Sequence, residues 1–192
     1  MGNTPFPAQL VKHLAVLHDA TVFIETGTYI GTTTRWAAAN FAEVHTIELL
    51  EMLFKETSAS LASLPNVKCY HGDSRALLPG IIKSLDQRRT VMWLDGHCSC
   101  DGDPNEKDEC PLLNEIACVN GELDIVLIDD ARLFLRVPPA PHDPSQWPSL
   151  HQVIEALPDD MFVQIIGDVI WAVPESLRAA LTEYLHADRS PW

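Results

Sequence analysis

Residues 21–31 read Thr-Val-Phe-Ile-Glu-Thr-Gly-Thr-Tyr-Ile-Gly, and their reading decides the fold. Thr21–Ile24 is β-branched and aromatic, as a buried strand requires. It runs through Glu25 into a turn bounded by Gly27 and Gly31, and an alanine-rich helical pattern follows over 32–42. Gly27 permits a sharp turn and close approach of backbone to a ligand. Gly31 lets the next helix pack closely, with its positive N-terminus aimed at the same place. The spacing is Gly-x-x-x-Gly and not the Gly-x-Gly-x-x-Gly of dinucleotide-binding turns.

The same alternation continues on either side. Residues 8–18 form an amphipathic helix with Leu10, Leu14 and Leu17 on one face. Strands are expected at Val44–Ile47, Val67–His71, Thr90–Leu94 and Leu123–Ile128. Between them lie a helix carrying Leu50, Leu53, Phe54, Leu61 and Leu64, a helix with Pro79 in its first turn, and a short helix over 111–118. Five prolines between 137 and 148 mark an irregular loop. Ser149-Leu-His-Gln152 is a capping box opening a helix over 149–157. Phe162–Ile166 and Val169–Val173, joined by Gly167-Asp168, read as a β-hairpin, and Pro174 opens a last helix with Leu177, Leu181 and Leu185. Strands alternating with helices predict an α/β Rossmann-like three-layer sandwich, with about seven mostly parallel strands and a C-terminal antiparallel hairpin. With no repeat and no linker, residues 1–192 are expected to form a single domain.

Charge and composition narrow the function. The chain has 13 Lys+Arg against 27 Asp+Glu, a net charge of −14, which opposes binding to a phosphate backbone; no nucleic-acid partner is expected. The whole excess lies in residues 90–192, so that half presents a negative field suited to a cation, a metal or a cationic cofactor. No apolar run approaches the ~20 residues of a membrane span, and the start, MGNTPFPAQL, lacks the pattern of a signal peptide. No membrane partner is expected, and the expected location is cytoplasmic. Cys69, Cys98, Cys100, Cys110 and Cys118 are too few and too unevenly spaced for a disulfide scaffold and are expected as thiols. Cys98-Ser-Cys100 with Cys110 and His97 leaves structural zinc or a Cys100–Cys110 disulfide as the minor readings.

The chemistry-bearing residues coincide with strand ends, where ligands bind in open α/β sheets. They are Glu25 to Gly31, Glu48 with Leu49, Gly72-Asp73-Ser74, Asp95 to His97, and Asp129-Asp130. Glu48 lies about twenty residues past the glycines, where a carboxylate accepts ribose hydroxyls. Asp73 suits either an adenine amino group or the cap of the next helix. Asp95, Asp129 and Asp130 would converge from neighbouring strands, and like charges brought together call for a cation such as Mg²⁺; a salt bridge to Arg132 is the competing reading. His97, with an ordinary pKa near 6.5, is the expected general base. His142, Asp143 and Trp147 in the proline-rich loop are placed to line an acceptor pocket.

Together ETGTYIG (25–31), HTIEL (45–49) and HGDS (71–74) resemble the class I S-adenosylmethionine-dependent methyltransferases. The resemblance spans nearly the whole chain, including the terminal hairpin. WLDGH (93–97), CPLLNEI (110–116) and LIDDARLF (127–134) are similar to small bacterial methyltransferase-like proteins. What this implies is S-adenosylmethionine held by Glu25, Thr26, Gly27, Thr28, Tyr29, Gly31, Thr32, Thr33, Glu48, Leu49, Gly72, Asp73, Ser74 and Asp95, with Glu25 close to the methionine amino group. The carboxylate pattern is similar to that of divalent-metal-dependent catechol-type O-methyltransferases, which implies Asp95, Asp129 and Asp130 as ligands of Mg²⁺ or another divalent cation. The lysine those enzymes use as base is missing here, where His97 and Cys98 stand. The expected activity is O-methylation of a small-molecule acceptor, with His97, Asp95 and Asp130 as catalytic residues. The alternative is a non-catalytic nucleoside- or partner-binding protein on the same fold. A homodimer through an edge strand or the proline loop is compatible with either.

Overall fold

The computed structural model describes residues 6–97 and 109–187. In chain order the elements are α1 (Ala8–Leu17), β1 (Val22–Thr26), α2 (Thr32–Ala38), β2 (Glu43–Glu48), α3 (Glu51–Leu61), β3 (Val67–His71), α4 (Ser74–Ser84) and β4 (Thr90–Leu94). The second half carries α5 (Leu112–Ile116), β5 (Asp124–Ile128), α6 (Ala131–Phe134), α7 (Leu150–Ala156), β6 (Met161–Ile166), β7 (Val169–Pro174) and α8 (Arg178–Ala187). Short 3₁₀ turns occupy Pro144–Gln146 and Glu175–Leu177.

All seven strands form one sheet in the order β3-β2-β1-β4-β5-β7-β6. The first five are parallel, and β7 pairs antiparallel with both β5 and β6. The order reverses between β1 and β4, so the ligand crevice belongs beyond their carboxyl ends. β1, β4 and β5 are buried at every residue, as strands covered on both faces must be. One face packs Ile24, Met92, Leu94 and Ile128 against Leu78, Ile116 and Val153 of α4, α5 and α7. The other packs Phe23, Trp93, Leu127 and Trp171 against Leu14, Ala37 and Leu181 of α1, α2 and α8. The result is the expected three-layer sandwich with its C-terminal hairpin.

Several boundaries differ from the sequence reading, for local reasons. Pro79 lies inside α4 and not in its first turn: the Asp73 side chain accepts the Arg75 amide and starts the helix five residues earlier than a proline start would imply. The alanine-rich helix ends at Ala38, and Asn40 Nδ2 donates to the Trp36 carbonyl just beyond it. Leu17 is 53 % exposed, and Val11 takes the buried place on α1. In α3 only Leu61 reaches the core among the leucines expected there, and Leu50 is its exposed N-cap. Pro174 ends β7, and a 3₁₀ turn intervenes before α8. The capping box at Ser149 and Gln152 is present with both reciprocal bonds. Cys69, Cys110 and Cys118 are free thiols, while the readings placed on Cys98 and Cys100 lie outside the described residues.

Among the described residues no helix is long and apolar enough to cross a membrane.

Candidate active site

The turn after β1 is closed by backbone contact. Gly27 and Thr28 donate their amides to the Ile47 carbonyl on β2, at 2.9 and 3.3 Å. Gly27 has φ +82°, and a Cβ there would lie 2.1 Å from the Asp95 carbonyl oxygen. Glycine is therefore required both by conformation and by the close approach of the β1 and β4 ends. The rest of the turn is tied to neighbouring helices. Thr57 Oγ1 donates to the Tyr29 carbonyl at 2.6 Å, and Arg35 donates to the Ile30 and Gly31 carbonyls and to Ser60 Oγ.

Glu25 is 1 % exposed. Its Oε2 accepts from Thr34 Oγ1 at 2.5 Å and Thr46 Oγ1 at 2.6 Å. Since the single hydroxyl hydrogen of Thr46 goes to Glu25, Thr28 Oγ1 is the donor in its 2.6 Å bond to Thr46. Three threonines thus form a relay into one buried carboxyl. Burial pushes Glu25 up to about 7, against the pull of the Thr34 and Thr46 bonds. In the first turn of α2 it is Thr34 that turns inward to Glu25, while Thr32 and Thr33, expected at the cofactor, stand nearer the surface.

Glu48 sits at the end of β2, 6 % exposed. Its Oε2 accepts the Tyr29 amide and its Oε1 the Leu50 amide, both at 2.9 Å. Each oxygen keeps a lone pair, and the two amides fix its orientation. Tyr29 and Leu49 flank it with exposed side chains. At the end of β3, Asp73 does the second of its two expected jobs: it caps α4 and grips Arg75, whose Nη2 lies 2.6 Å from Oδ2. Gly72 precedes it at φ +142°, and Ser74 is buried as the first residue of α4.

The ends of β4 and β5 bring Asp95, His97, Asp129 and Asp130 together. His97 Nε2 lies 3.1 Å from Asp130 Oδ2 and 3.8 Å from Asp95 Oδ1. Burial alone would lower His97, but the Asp130 bond and the charges of Asp95, Asp130 and Asp129 outweigh it and raise its pKa. Asp130 is held below its ordinary value, against burial, by that bond and by Arg132, whose Nη1 lies 2.6 Å from Oδ1. Asp95 is pushed up to about 7, by desolvation first and by Asp129 and Asp130 next, against the pull of His97. Asp129 is also raised by burial, and its Oδ1 accepts the Asp130 amide at 2.8 Å.

Arg132 also pairs with Asp168 in the β6–β7 turn, which accepts the Arg132 amide at 2.8 Å. The hairpin is thereby fastened to the site. Above His97 lie Trp147 and Phe134, with ring centroids 5.4 and 6.3 Å away. Glu109 holds this cover: it accepts from Trp147 Nε1 at 2.6 Å, from the Asp143 amide at 2.9 Å and pairs with His142 at 3.1 Å. The His97 side chain is consequently only 6 % exposed, whereas that of Asp95 is 36 % exposed.

The expected metal set is not assembled. Among the described residues no three His, Cys, Asp or Glu side chains gather as a group able to hold a metal ion. The physical reason lies in Asp130, whose two oxygens are taken by His97 and Arg132, so cationic side chains stand where an ion was expected. The salt bridge to Arg132, the competing reading, is what the structure contains.

The sequence reading did not single out Thr34, Thr46, Thr57, Glu115 or Asp168. The signal available was Glu25 itself, a carboxylate in a buried strand that needs donors from its neighbours, which Thr34 and Thr46 supply.

No known family model matches the chain, and no curated protein sequence matches it. Solved structures do. The O-methyltransferase TomG from Streptomyces achromogenes, involved in tomaymycin synthesis and solved with S-adenosylmethionine, is 19 % identical at TM-score 0.57, over 90 % of this chain and 81 % of that one. A methyltransferase from Geobacter sulfurreducens is 17 % identical at TM-score 0.55, over 87 % of this chain and 77 % of that one. The O-methyltransferase from Bacillus cereus, solved with S-adenosylhomocysteine, is 15 % identical at TM-score 0.53, over 90 % and 82 %. The chain has the Rossmann-like fold of these methyltransferases.

Proposed function

We propose that this protein is an S-adenosylmethionine-dependent methyltransferase that methylates an oxygen of a small molecule. The observation that carries the reading is the pair of buried acids, Glu25 and Glu48, each locked by fixed donors at adjacent strand ends. Neighbours of the same fold were solved with S-adenosylmethionine or S-adenosylhomocysteine.

The residues present fit the adenosyl cofactor. Glu48 offers a free lone pair on each oxygen to the two ribose hydroxyls. Glu25 faces the methionine end, where an ammonium group favours its carboxylate over the protonated form that burial promotes. Gly27 to Gly31 keep the floor of the crevice to backbone, with Thr26 and Thr28 buried beneath it. Gly72, Asp73 and Ser74 border the purine end. When bound there, the cofactor supplies an electrophilic methyl group on a sulfonium.

Asp95 takes the proton from the acceptor hydroxyl. Its side chain is the more open one of the pair, and its pKa of about 7 suits a base at neutral pH. His97 lies under Trp147 and serves as a positioning residue, a cation between Asp95 and Asp130. Trp147 and Phe134 cover His97 and keep it out of water, while Asp95 beside it stays open to an acceptor. The net charge of −14 disfavours a nucleic acid. The carboxylates do not fit a divalent ion, because Asp130 is already paired with His97 and Arg132.

Thermal unfolding with S-adenosylmethionine, S-adenosylhomocysteine and NAD⁺ tests the reading. A ligand at 100 times its Kd adds about 2.7 kcal/mol, which raises the midpoint by roughly 5–10 °C at this size. Both adenosyl compounds should do so and NAD⁺ should not. A shift with NAD⁺ alone, or with none of the three, overturns it.

A further inference from the structure

The sheet has two outer strands, and their sequences differ in kind. At one edge β3 carries Lys68, which is 59 % exposed and paired with Glu43, and ends in His71. Charge on an edge strand is how a sheet resists adding strands from another chain. At the other edge β6 reads Met-Phe-Val-Gln-Ile-Ile over 161–166, with no charge, no proline and no glycine. Its inner side pairs with β7 along its whole length, and among the described residues no strand pairs with its outer side. An apolar edge with none of the usual guards calls for a cover.

The ladder shows what that outer side offers. The β6–β7 hairpin has a two-residue turn, Gly167-Asp168, so Ile166 and Val169 exchange both backbone hydrogen bonds and the pattern alternates from there. Gln164 and Phe162 then bond to β7, opposite Trp171 and Val173. Met161 fits the alternation: it faces Pro174, which has no N–H, and its own amide donates to the Pro158 carbonyl. The backbone N–H and C=O groups of Val163 and Ile165 therefore point away from the sheet. Side chains alternate as well. Met161 and Val163 pack with Val153 of α7 on one face, and Phe162 and Ile166 pack with Leu181 of α8 on the other. Ile165, 36 % exposed, shares the face of Val163.

We propose that β6 is a homodimer interface, at which two copies of the chain join antiparallel across a twofold axis at Gln164 and continue one sheet. An axis normal to the sheet keeps each face on its own side, so residues that meet must share a face. Centred on Gln164, the register sets Val163 against the partner's Ile165 and Phe162 against the partner's Ile166. Val163 and Ile165 are the residues whose backbone groups point outward, so each such pair closes two hydrogen bonds. Aromatic and β-branched side chains meet on both faces. Gln164 is the one polar residue of the strand and meets itself, with an amide that both donates and accepts. The strand is thus its own complement, which selects a second copy over an unrelated chain. Charge selects the same strip. At a net charge of −14 two copies repel over most of their surface, and β6 carries no carboxylate. Past the strand the register brings Asp160 towards the partner's Asp168, an acid that is already paired with Arg132.

Sedimentation equilibrium of the full chain at micromolar concentration tests this. The wild type should have twice the mass of one chain. Ile165→Lys places a charge against an apolar neighbour in the pairing and should be a monomer at the same concentration. Its far-UV circular dichroism should be retained, because the side chain already reaches solvent. Gln164→Cys should cross-link two chains on oxidation by diamide, since Cα atoms facing each other in a non-hydrogen-bonded antiparallel pair lie about 4.5 Å apart, within disulfide range. The wild type, with its own thiols, should not cross-link under the same treatment. A monomeric wild type overturns the inference, as does a folded Ile165→Lys that stays dimeric. If Ile165→Lys does not fold, the Gln164→Cys chain decides: a cross-linked dimer supports the pairing, and its absence overturns it.

Discussion

His97 Nε2 and Asp130 Oδ2 lie 3.1 Å apart across the ends of two neighbouring strands, and each holds the other in its charged form. His97 is raised and Asp130 lowered by this contact. The stabilisation from His97 is present below its unfolded value near 6.5 and is lost as pH rises through its higher folded value. That from Asp130 is present above its unfolded value and is lost as pH falls through its lower folded value. Asp130→Asn should therefore lower the His97 titration midpoint and cost about 1–3 kcal/mol near neutral pH. Histidine ring NMR and urea unfolding read the two effects. An unchanged His97 midpoint would contradict the pairing.

Glu25 sets a second pH dependence, which runs in the same direction as that of His97. Its carboxyl is raised from 4.5 to about 7 by burial. Its contribution is complete below the unfolded value and falls away as pH rises through about 7. The loss should reach about 3 kcal/mol in alkaline solution. Glu25→Gln, which keeps the shape and still accepts from Thr46, should flatten this part of the profile. Unfolding at about pH 5 and about pH 8 compares the two. A wild-type slope retained in the variant would refute the assignment.

Two glycines separate close packing from mere helix content. Gly27→Ala would force a Cβ to 2.1 Å from a backbone carbonyl at φ +82°. It should cost about 2–5 kcal/mol and weaken cofactor binding. Gly80 lies within α4, and a Cβ there meets nothing within 4 Å. Gly80→Ala should instead stabilise by about 0.5–1 kcal/mol. Equilibrium denaturation of both variants checks the signs.

With Asp130 paired to His97 and Arg132, neither added Mg²⁺ nor a chelator should change affinity for S-adenosylhomocysteine or the unfolding midpoint. Arg132→Ala should open an Asp130 oxygen, and any Mg²⁺ response should emerge only in that variant. A chelator-sensitive wild type would contradict the pairing.

The sheet was legible because parallel buried strands announce themselves as short apolar runs, and their ends carry Glu25, Glu48, Asp73, Asp95 and Asp129 in register with the chain. The capping box at Ser149 was legible because its signal is local. Pro79 misled because proline marks a helix start only when no earlier cap competes, and Asp73 competes. The metal expectation followed from the convergence of Asp95, Asp129 and Asp130 at neighbouring strand ends and from the resemblance to metal-dependent enzymes. Charge balance is settled in three dimensions, where Arg132 and His97 arrive as neighbours of Asp130. Glu115 carried no visible signal, since its neighbours Gly96, Thr26 and Ser74 come to it from across the fold.

The most direct test of the methyltransferase reading is calorimetric titration of the protein with S-adenosylhomocysteine, beside Glu48→Ala. The wild type should bind at one site per chain, and the variant, which loses two ribose hydrogen bonds to a charged acceptor, should bind roughly tenfold to a hundredfold more weakly. Absence of binding in the wild type, or equal binding by the variant, would contradict it.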